Sequence, residues 1–361
     1  YEVNETGKFS SDTRSPSLQW WEVHKVENGT YIIENYIEEI TKSDALDLAS
    51  QIDKLDTNNI ILQYHNKYYM VGTLCKNNQL DAVHRYSKDR RNIFHLIEIL
   101  SLLGFASKES EFDVSVCLGL PNFLRSEKDE FEKWLQGTYN FSYLCSMGEI
   151  KKSVNLKDVL FLLQPYAPIF ILPENKQNKF ICSLDLGHGS ADFLLVNNYK
   201  VIKQSGTLSY CEGVIRCYKQ LKEIIVNKYA NTEYKITDIA ESKLQEIIET
   251  GKFIINDKEI DIKDSLNFVF EKYADYVFQQ CESNLGSYLQ SVDIFIASGG
   301  ILNNQEFKQN LTQKFKNSYN KPFMTYEFPQ MAIVNGYYSC AKLKYATIEE
   351  EEAAMDVESE R

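Results

Sequence analysis

No stretch of this chain approaches the run of about 18 apolar residues that a membrane-spanning helix needs, so direct membrane insertion is not expected. The opening Tyr1-Glu-Val-Asn-Glu-Thr6 is polar and acidic and does not read as a secretory signal. Positive charge is in deficit: 39 Lys and Arg against 51 Asp and Glu leave a net charge of −12. A chain-wide basic surface for nucleic acid is therefore excluded, and only a local patch stays open. Cysteine occurs eight times but never as a CxxC pair. Most of the cysteines sit in apolar runs such as Val114-Ser-Val-Cys-Leu118, the setting of buried, reduced thiols in a cytosolic protein and not of zinc sites or disulfides. No internal repeat is visible.

What is present is an ordinary globular composition, 43% hydrophobic and 13% aromatic, sufficient for a real core. A length of 361 residues points to two domains or one bilobal body. Residues 1–60 are polar and irregular, with a Trp20-Trp21 pair and an alternating run from Thr30 to Tyr36. Ile60 to Gly72 reads as a hairpin turning at His65-Asn66-Lys67. Arg90 to Leu103 has helical apolar spacing and stops at Gly104. Phe112 to Leu120 reads as a buried strand ending in Gly119-Leu-Pro121, and a polar helix buries Phe131, Trp134 and Leu135. Val159 to Leu163 is apolar and is halted by Gln164-Pro165.

A second lobe begins near Phe180. The spacing predicts strands over Phe180–Leu184, Ala191–Val196 and Lys200–Lys203, then an amphipathic helix over Glu212–Tyr229. A short helix around Ser242–Thr250 closes at Gly251, and Phe253–Ile262 reads as a small hairpin. A long helix covers Leu266–Leu289. Val292–Ala297 is a fully apolar strand capped by Ser298-Gly-Gly300, with Asn303 as the candidate N-cap of a helix beyond it. A last helix spans Met331–Leu343, and the acidic tail from Glu349 to Arg361 is expected to be disordered. Strands alternating with helices, with glycine turns after two strands, define an α/β chain whose ligands sit at strand carboxyl ends.

Two segments carry candidate chemistry. In Cys182-Ser-Leu-Asp-Leu-Gly-His-Gly-Ser-Ala-Asp-Phe-Leu-Leu195, apolar strands flank a turn rich in glycine. Glycines let the backbone approach closely and aim N–H groups at phosphate oxygens. Asp185 would repel a bare phosphate, so it makes sense facing a hydrated Mg²⁺ or an attacking water. A plain hairpin with a glycine-rich turn would look the same on this segment alone. In Phe295-Ile-Ala-Ser-Gly-Gly-Ile-Leu-Asn303, a buried strand runs into Gly-Gly, which leaves room for a flat ring against backbone; an ordinary strand-to-helix turn is the alternative.

Taken together, the two segments resemble the ATPase superfamily of actin, heat-shock chaperones and sugar kinases. There a D-x-G-x-G-[ST]-x-D hairpin holds phosphates and a later strand-Gly-Gly turn holds the nucleoside. Within it the chain is most similar to the plasmid-segregation ParM-type actins, through Tyr64–Gly72, Val116–Pro121, the order of elements over Ala240–Ile255, and Gln330-Met-Ala-Ile-Val-Asn-Gly336. The resemblance covers about residues 60–345. It implies an actin-like, ribonuclease-H-like α/β fold of two lobes with a nucleotide cleft between them. On this reading 1–178 form the first lobe, 179–330 the second, 331–345 a helix returning to the first, and 346–361 the tail.

The resemblance further implies a cytoplasmic ATP hydrolase that polymerises with itself, binds ATP or ADP with Mg²⁺ (GTP being an alternative), and works with a DNA-bound adaptor. Carried over, Asp185 would hold Mg²⁺ through water and position the nucleophile, and Gln164 would orient that water. Gly187, His188, Gly189 and Ser190 would contact phosphate; Ser298, Gly299 and Gly300 would line the nucleoside pocket, with Glu212 and Gly213 near the ribose. His188 departs from the small or acidic residue usual there, although a neutral imidazole can still donate to phosphate. The family's opening D-x-G hairpin has no counterpart in residues 1–60, although Gly7-Lys-Phe-Ser-Ser11 resembles a run that normally comes soon after it. The expectation is that this loop lies upstream of Tyr1. A chain that truly lacked it would be a non-hydrolysing scaffold, and a small-molecule kinase is a third reading.

Overall fold

The computed structural model describes residues 2–3, 9–10, 36–53, 55–78, 91–202 and 208–359. The Trp20-Trp21 pair, most of the runs at 7–11 and 30–36, and Lys203 lie outside them. The chain divides into two units, one made of 1–120, 124–163 and 334–361, the other of 121–123 and 164–333. Residues 164–178, which the sequence reading assigns to the first lobe, are part of the second unit.

Unit 1 opens with a two-residue ladder of β1 (Glu2–Val3) and β2 (Phe9–Ser10). Its main sheet has the order β3-β5-β4-β7-β8-β6, from β3 (Ile37–Ile40), β4 (Ile60–Tyr64), β5 (Lys67–Val71), β6 (Glu111–Leu120), β7 (Gly137–Cys145) and β8 (Gly148–Leu163). Only β6 and β8 run parallel. The expected β4–β5 hairpin is present, its two turn residues being His65 and Asn66 at φ +48° and +61°, the left-handed pair a tight hairpin requires. Helices α1 (Lys42–Ala49), α2 (Thr73–Asn77), α3 (Ile93–Leu103) and α4 (Lys128–Leu135) complete this part. Asn92 caps α3 by accepting from the Phe94 and His95 N–H groups.

Gly104 does end α3, but at φ −63° and so without a left-handed cap. Glycine is needed there because a Cβ would lie 2.0 Å from the Tyr143 hydroxyl. The β7–β8 hairpin is a feature that periodicity missed. Only the apolar end of β8, residues 159–163, stands out, because the rest alternates with polar groups such as Lys151 and Lys152. Lys152 is buried, and its ammonium donates to the Ser107 and Glu109 carbonyls at 2.7 and 2.6 Å.

Unit 2 is a sheet of order β11-β10-β9-β15-β16, with β12 also paired to β10. Its strands are β9 (Phe180–Leu186), β10 (Ser190–Asn197), β11 (Lys200–Val201), β12 (Leu208–Glu212), β15 (Ile294–Ser298) and β16 (Phe323–Thr325). β9 pairs antiparallel with β10 on one side and parallel with β15 on the other. Strands β9 and β15 are buried almost throughout, which explains their unbroken apolar runs. A short helix α5 (Glu174–Gln177) precedes β9. Helix α6 covers Ile215–Tyr229, later than the expected start because Glu212 is the end of β12. Helix α7 (Glu241–Thr250) closes at Gly251, φ +72°, and β13 (Phe253–Ile255) and β14 (Lys258–Ile260) form the expected small hairpin.

The long helix α8 spans Lys263–Leu289. Helix α9 (Gln305–Tyr319) is capped by Asn304, whose side chain accepts from the Phe307 N–H; this replaces the expected cap at Asn303, which ends a 3-10 turn. α6, α8 and α9 bury Leu221, Ile225, Val269, Phe270, Phe307 and Phe315 in one core with the sheet. Helix α10 (Ala332–Ser359) then returns to unit 1 from Val334 onward. Its backbone stays helical through most of the acidic tail, where the sequence predicts disorder; alanine and glutamate are strong helix formers and carry it. Seven of the eight cysteines are buried, Cys340 is half-buried, and all are free thiols.

Candidate functional site

The turn between β9 and β10 is held in place from one side by its own chain. The carbonyls of Gly187, His188 and Gly189 accept from the N–H groups of Val214, Ile215 and Gly213 at 3.0, 2.9 and 3.2 Å. Helix α6 has no side-chain N-cap, so these carbonyls satisfy N–H groups that a helix start leaves open. Gly213 must be glycine for this packing, since a Cβ would lie 2.4 Å from the Gly187 oxygen. No peptide here is cis, and in a trans peptide the N–H points opposite to the preceding C=O. The N–H groups of His188, Gly189 and Ser190 therefore face away from α6. Three successive N–H groups on one side of a turn form an anion-binding concavity. Gly189 itself is exposed, and a Cβ built on it would meet nothing within 4 Å.

Behind the turn lie two carboxylates. Asp185 and Asp192 are cross-strand partners in the β9–β10 pair, only 2% and 1% exposed. Asp185 accepts from the Ser298 hydroxyl at 3.4 Å. Burial, and next the charge of Asp192, push its carboxyl well above the usual carboxylate range, the Ser298 hydrogen bond opposing them. Asp192 accepts from the Ser190 hydroxyl at 2.7 Å and from the Asn122 N–H at 3.1 Å. Burial still lifts it to about 6 against those two hydrogen bonds. Asn122 is fixed in turn, its amide donating to the Phe193 carbonyl at 2.9 Å. Neither carboxylate has an ion-pair partner among the described residues, so the pair is an uncompensated negative site that favours a cation.

The second glycine segment packs directly on the first. β15 lies beside β9 with Ser298 opposite Asp185. Gly299, at φ +117°, puts its Cα where a Cβ would lie 2.3 Å from the Leu186 carbonyl oxygen. Two motifs that are far apart in sequence are thus one backbone assembly, and Gly300 starts the 3-10 turn that leaves it.

Gln164 begins a 3-10 segment, Gln164–Ile171, that packs against β9 and β10. It is 2% exposed and its Oε1 has no hydrogen-bond partner among the described residues. A buried acceptor left open is rare and marks a place where a water or ligand donates. Glu212 is committed otherwise: its carboxylate pairs with Arg216 at 3.2 Å and with Lys219, chiefly the latter holding it below the usual range. Arg216 stacks over Tyr276 at 4.1 Å. The His188 imidazole is likewise engaged, 3.1 Å from Glu241 and packed on Tyr218. What His188 turns outward is its backbone N–H.

The structure thus brings Asp185, Gly187 to Ser190, Gly213, Ser298 and Gly299 into contact, and sets Glu212 in a neighbouring charged cluster. Sequence reasoning missed Asn122 and underused Asp192. The second aspartate of the motif was visible; Asn122 carried no local signal, because its role depends on a strand 70 residues away in sequence. The donor set suits a nucleotide's phosphates and a metal bound mainly through water. Among the described residues, no group of three or more His, Cys, Asp or Glu side chains could cage a metal unaided.

Known proteins bear this out at the level of family and fold. Residues 30–166 match the model for the N-terminal domain of actin-like proteins, and 183–309 match that for the C-terminal domain of archaeal MreB-like actin homologues. Among curated protein sequences none matches the chain. Among solved structures, the actin-like protein Alp7A superposes with a TM-score of 0.69 at 12% identity, over 90% of this chain and 95% of its own. A ParM from a 15-stranded Clostridium botulinum filament does so with a TM-score of 0.67 at 16% identity, over 87% and 94%. The archaeal actin homolog Ta0583 in complex with ADP gives 0.62 at 13% identity, over 78% and 89%. At such identities the structural likeness establishes the fold. Together with the two domain matches, it establishes that this chain belongs to the actin-like superfamily.

Proposed function

We propose that the chain is a cytoplasmic ATPase that assembles into nucleotide-dependent filaments, serving plasmid segregation with a DNA-bound adaptor. The observation that carries the reading is the β9–β10 turn, where three N–H groups point away from α6 beside two buried carboxylates that have no ion-pair partner among the described residues. The relatives support it by what they are: one ParM forms a filament, and an archaeal actin homolog binds ADP. No helix among the described residues is long and apolar enough to cross a membrane.

In this reading His188, Gly189 and Ser190 donate backbone N–H groups to phosphate oxygens, and the start of α6 keeps them aimed. Asp185 and Asp192 hold the water shell of a divalent cation, and Asp185 fixes the attacking water. Gln164 orients that water through its open Oε1. Ser298, Gly299 and Gly300 border the nucleoside, and the Glu212–Arg216–Lys219 cluster lies toward its ribose. When bound, Mg²⁺-ATP brings the phosphoanhydride to be cleaved and the positive charge that the carboxylates lack. A head-to-tail contact that does not close on itself turns such a subunit into a filament.

Sedimentation and phosphate release, with ATP-Mg²⁺ and GTP-Mg²⁺ in parallel, test this. The expected result is a pelleting polymer that forms only with nucleotide and then decays as phosphate appears. Neither polymer nor phosphate would leave a scaffold with the actin fold. Phosphate transfer that required a small acceptor would make the chain a kinase.

A further inference from the structure

Of the residues in the β9–β10 turn, His188 alone carries a long side chain. Its backbone and its ring are anchored by separate routes. The carbonyl accepts from the Ile215 N–H at 2.9 Å, while Nε2 lies 3.1 Å from Oε1 of Glu241, the first residue of α7. The side chain is buried and its ring rests on Tyr218 of α6, centroids 5.1 Å apart. The residues on either side, Gly187 and Gly189, have no side chains to restrain the turn, and glycine ranges more freely in φ and ψ than any other residue.

From this geometry we infer that His188 is a positioning residue: held by Glu241 and Tyr218, its imidazole fixes the turn in the conformation that presents three N–H groups, and ties it to α7 and the β13–β14 hairpin. The inference rests on reading that turn as a phosphate site, and it gives the ring a task other than touching phosphate. An anion on the outer face and Glu241 on the inner face then act on opposite sides of one short segment. Each stabilises the arrangement that the other uses, so the coupling is reciprocal. The hairpin that follows α7 after Gly251 carries the exposed Ile254 at the surface, so occupancy of the turn would be felt, through Glu241, at the helix that leads into an exposed element.

The test uses the full chain and a fluorescent ATP analogue with Mg²⁺. Glu241→Ala should weaken binding roughly tenfold, because a buried ring N–H loses its acceptor. Glu241→Gln keeps an acceptor oxygen and should restore most of the affinity. His188→Ala and the double variant should bind alike, as coupled partners do in a double-mutant cycle. Hydrogen exchange over 241–260 should slow when the analogue is added to the wild type, and not when it is added to Glu241→Ala. Loss of thermal stability with affinity and exchange response both unchanged would overturn the inference. Glu241 is partly exposed, so its variants carry the test even if His188→Ala fails to fold. A wild type that binds no analogue would overturn the phosphate-site reading itself, and this inference with it.

Discussion

Both units are built on a mixed six-stranded sheet, yet they treat buried polarity in opposite ways. In unit 1 the buried ionisable groups are matched internally, although the Tyr69 hydroxyl has no hydrogen-bond partner among the described residues. His95 meets Glu98 at 2.9 Å, the Ser101 hydroxyl donates to the Ile97 carbonyl, and Lys152 donates to two carbonyls. Its hairpins end in solvent, at His65-Asn66 and beside the exposed Met147. In unit 2 the β9–β10 hairpin ends in a turn clasped by α6, with two hydrogen-bonded carboxylates that have no cationic partner and a glutamine oxygen that has no donor among the described residues. A fold that compensates its buried ionisable groups in one sheet and leaves two carboxylates without a cation in another points to a cation supplied from outside.

The largest expected effect separates these two kinds of burial. Asp185→Ala should lower phosphate release by roughly 10²–10⁴-fold while leaving the melting temperature unchanged or higher, since burial beside Asp192 already disfavours its ionised form. Glu98→Ala should do the reverse, costing about 1–3 kcal/mol of stability with hydrolysis intact. Gln164→Ala belongs with Asp185: slower hydrolysis and longer-lived filaments, followed by light scattering. Wild-type turnover in Asp185→Ala would erase the distinction between the units.

Glycines sharpen the same contrast. Gly148 in unit 1 and Gly299 in unit 2 both have φ above +100°, but a Cβ on Gly148 meets nothing and one on Gly299 strikes the Leu186 carbonyl. Gly299→Ala should cost about 2–4 kcal/mol and lose nucleotide binding, because it pushes β15 off the Asp185 strand. Gly148→Ala should cost about 1 kcal/mol and leave binding alone. Urea melts with and without ATP-Mg²⁺ distinguish them, and equal costs would show that the β9–β15 contact is not under the constraint described.

How legible this was in the sequence is a matter of the same physics. Strands β9, β10 and β15 of unit 2 were readable because they are buried almost throughout, so their apolar runs are unbroken, whereas β12 and β16 were missed; the two glycine motifs were readable because they sit at the ends of those runs. β8 was readable only in its last third, since half-exposed residues mask its alternation. Contacts between distant segments left no trace: Asn122 on Asp192 and Gly299 on Leu186 are set by strand order, which no local pattern encodes. The Glu241 partner of His188 was hidden for the same reason.

The smallest expected effect is a pH dependence confined to unit 2's carboxylates. Asp192 titrates at about 6 in the folded chain against the usual 3.8. Between about pH 4 and pH 6 the folded state therefore keeps a proton that the unfolded chain has released. More protons bound in the folded state means that stability falls as pH rises through this window. The full two-unit displacement is worth at most about 3 kcal/mol. Asp185, Cys211 and the hydroxyls of Ser190 and Ser298 are the groups nearest the pair, and none supplies positive charge. Asp192→Asn keeps an oxygen for the Asn122 N–H but cannot ionise, so its stability should exceed the wild type's at pH 7 and converge with it near pH 4. Mg²⁺ with nucleotide should narrow the gap at pH 7, because a cation relieves in the wild type the repulsion that the substitution removes. A wild type and variant with parallel stability–pH curves would mean that the two aspartates are compensated after all, and that unit 2 closes its polar burial as unit 1 does.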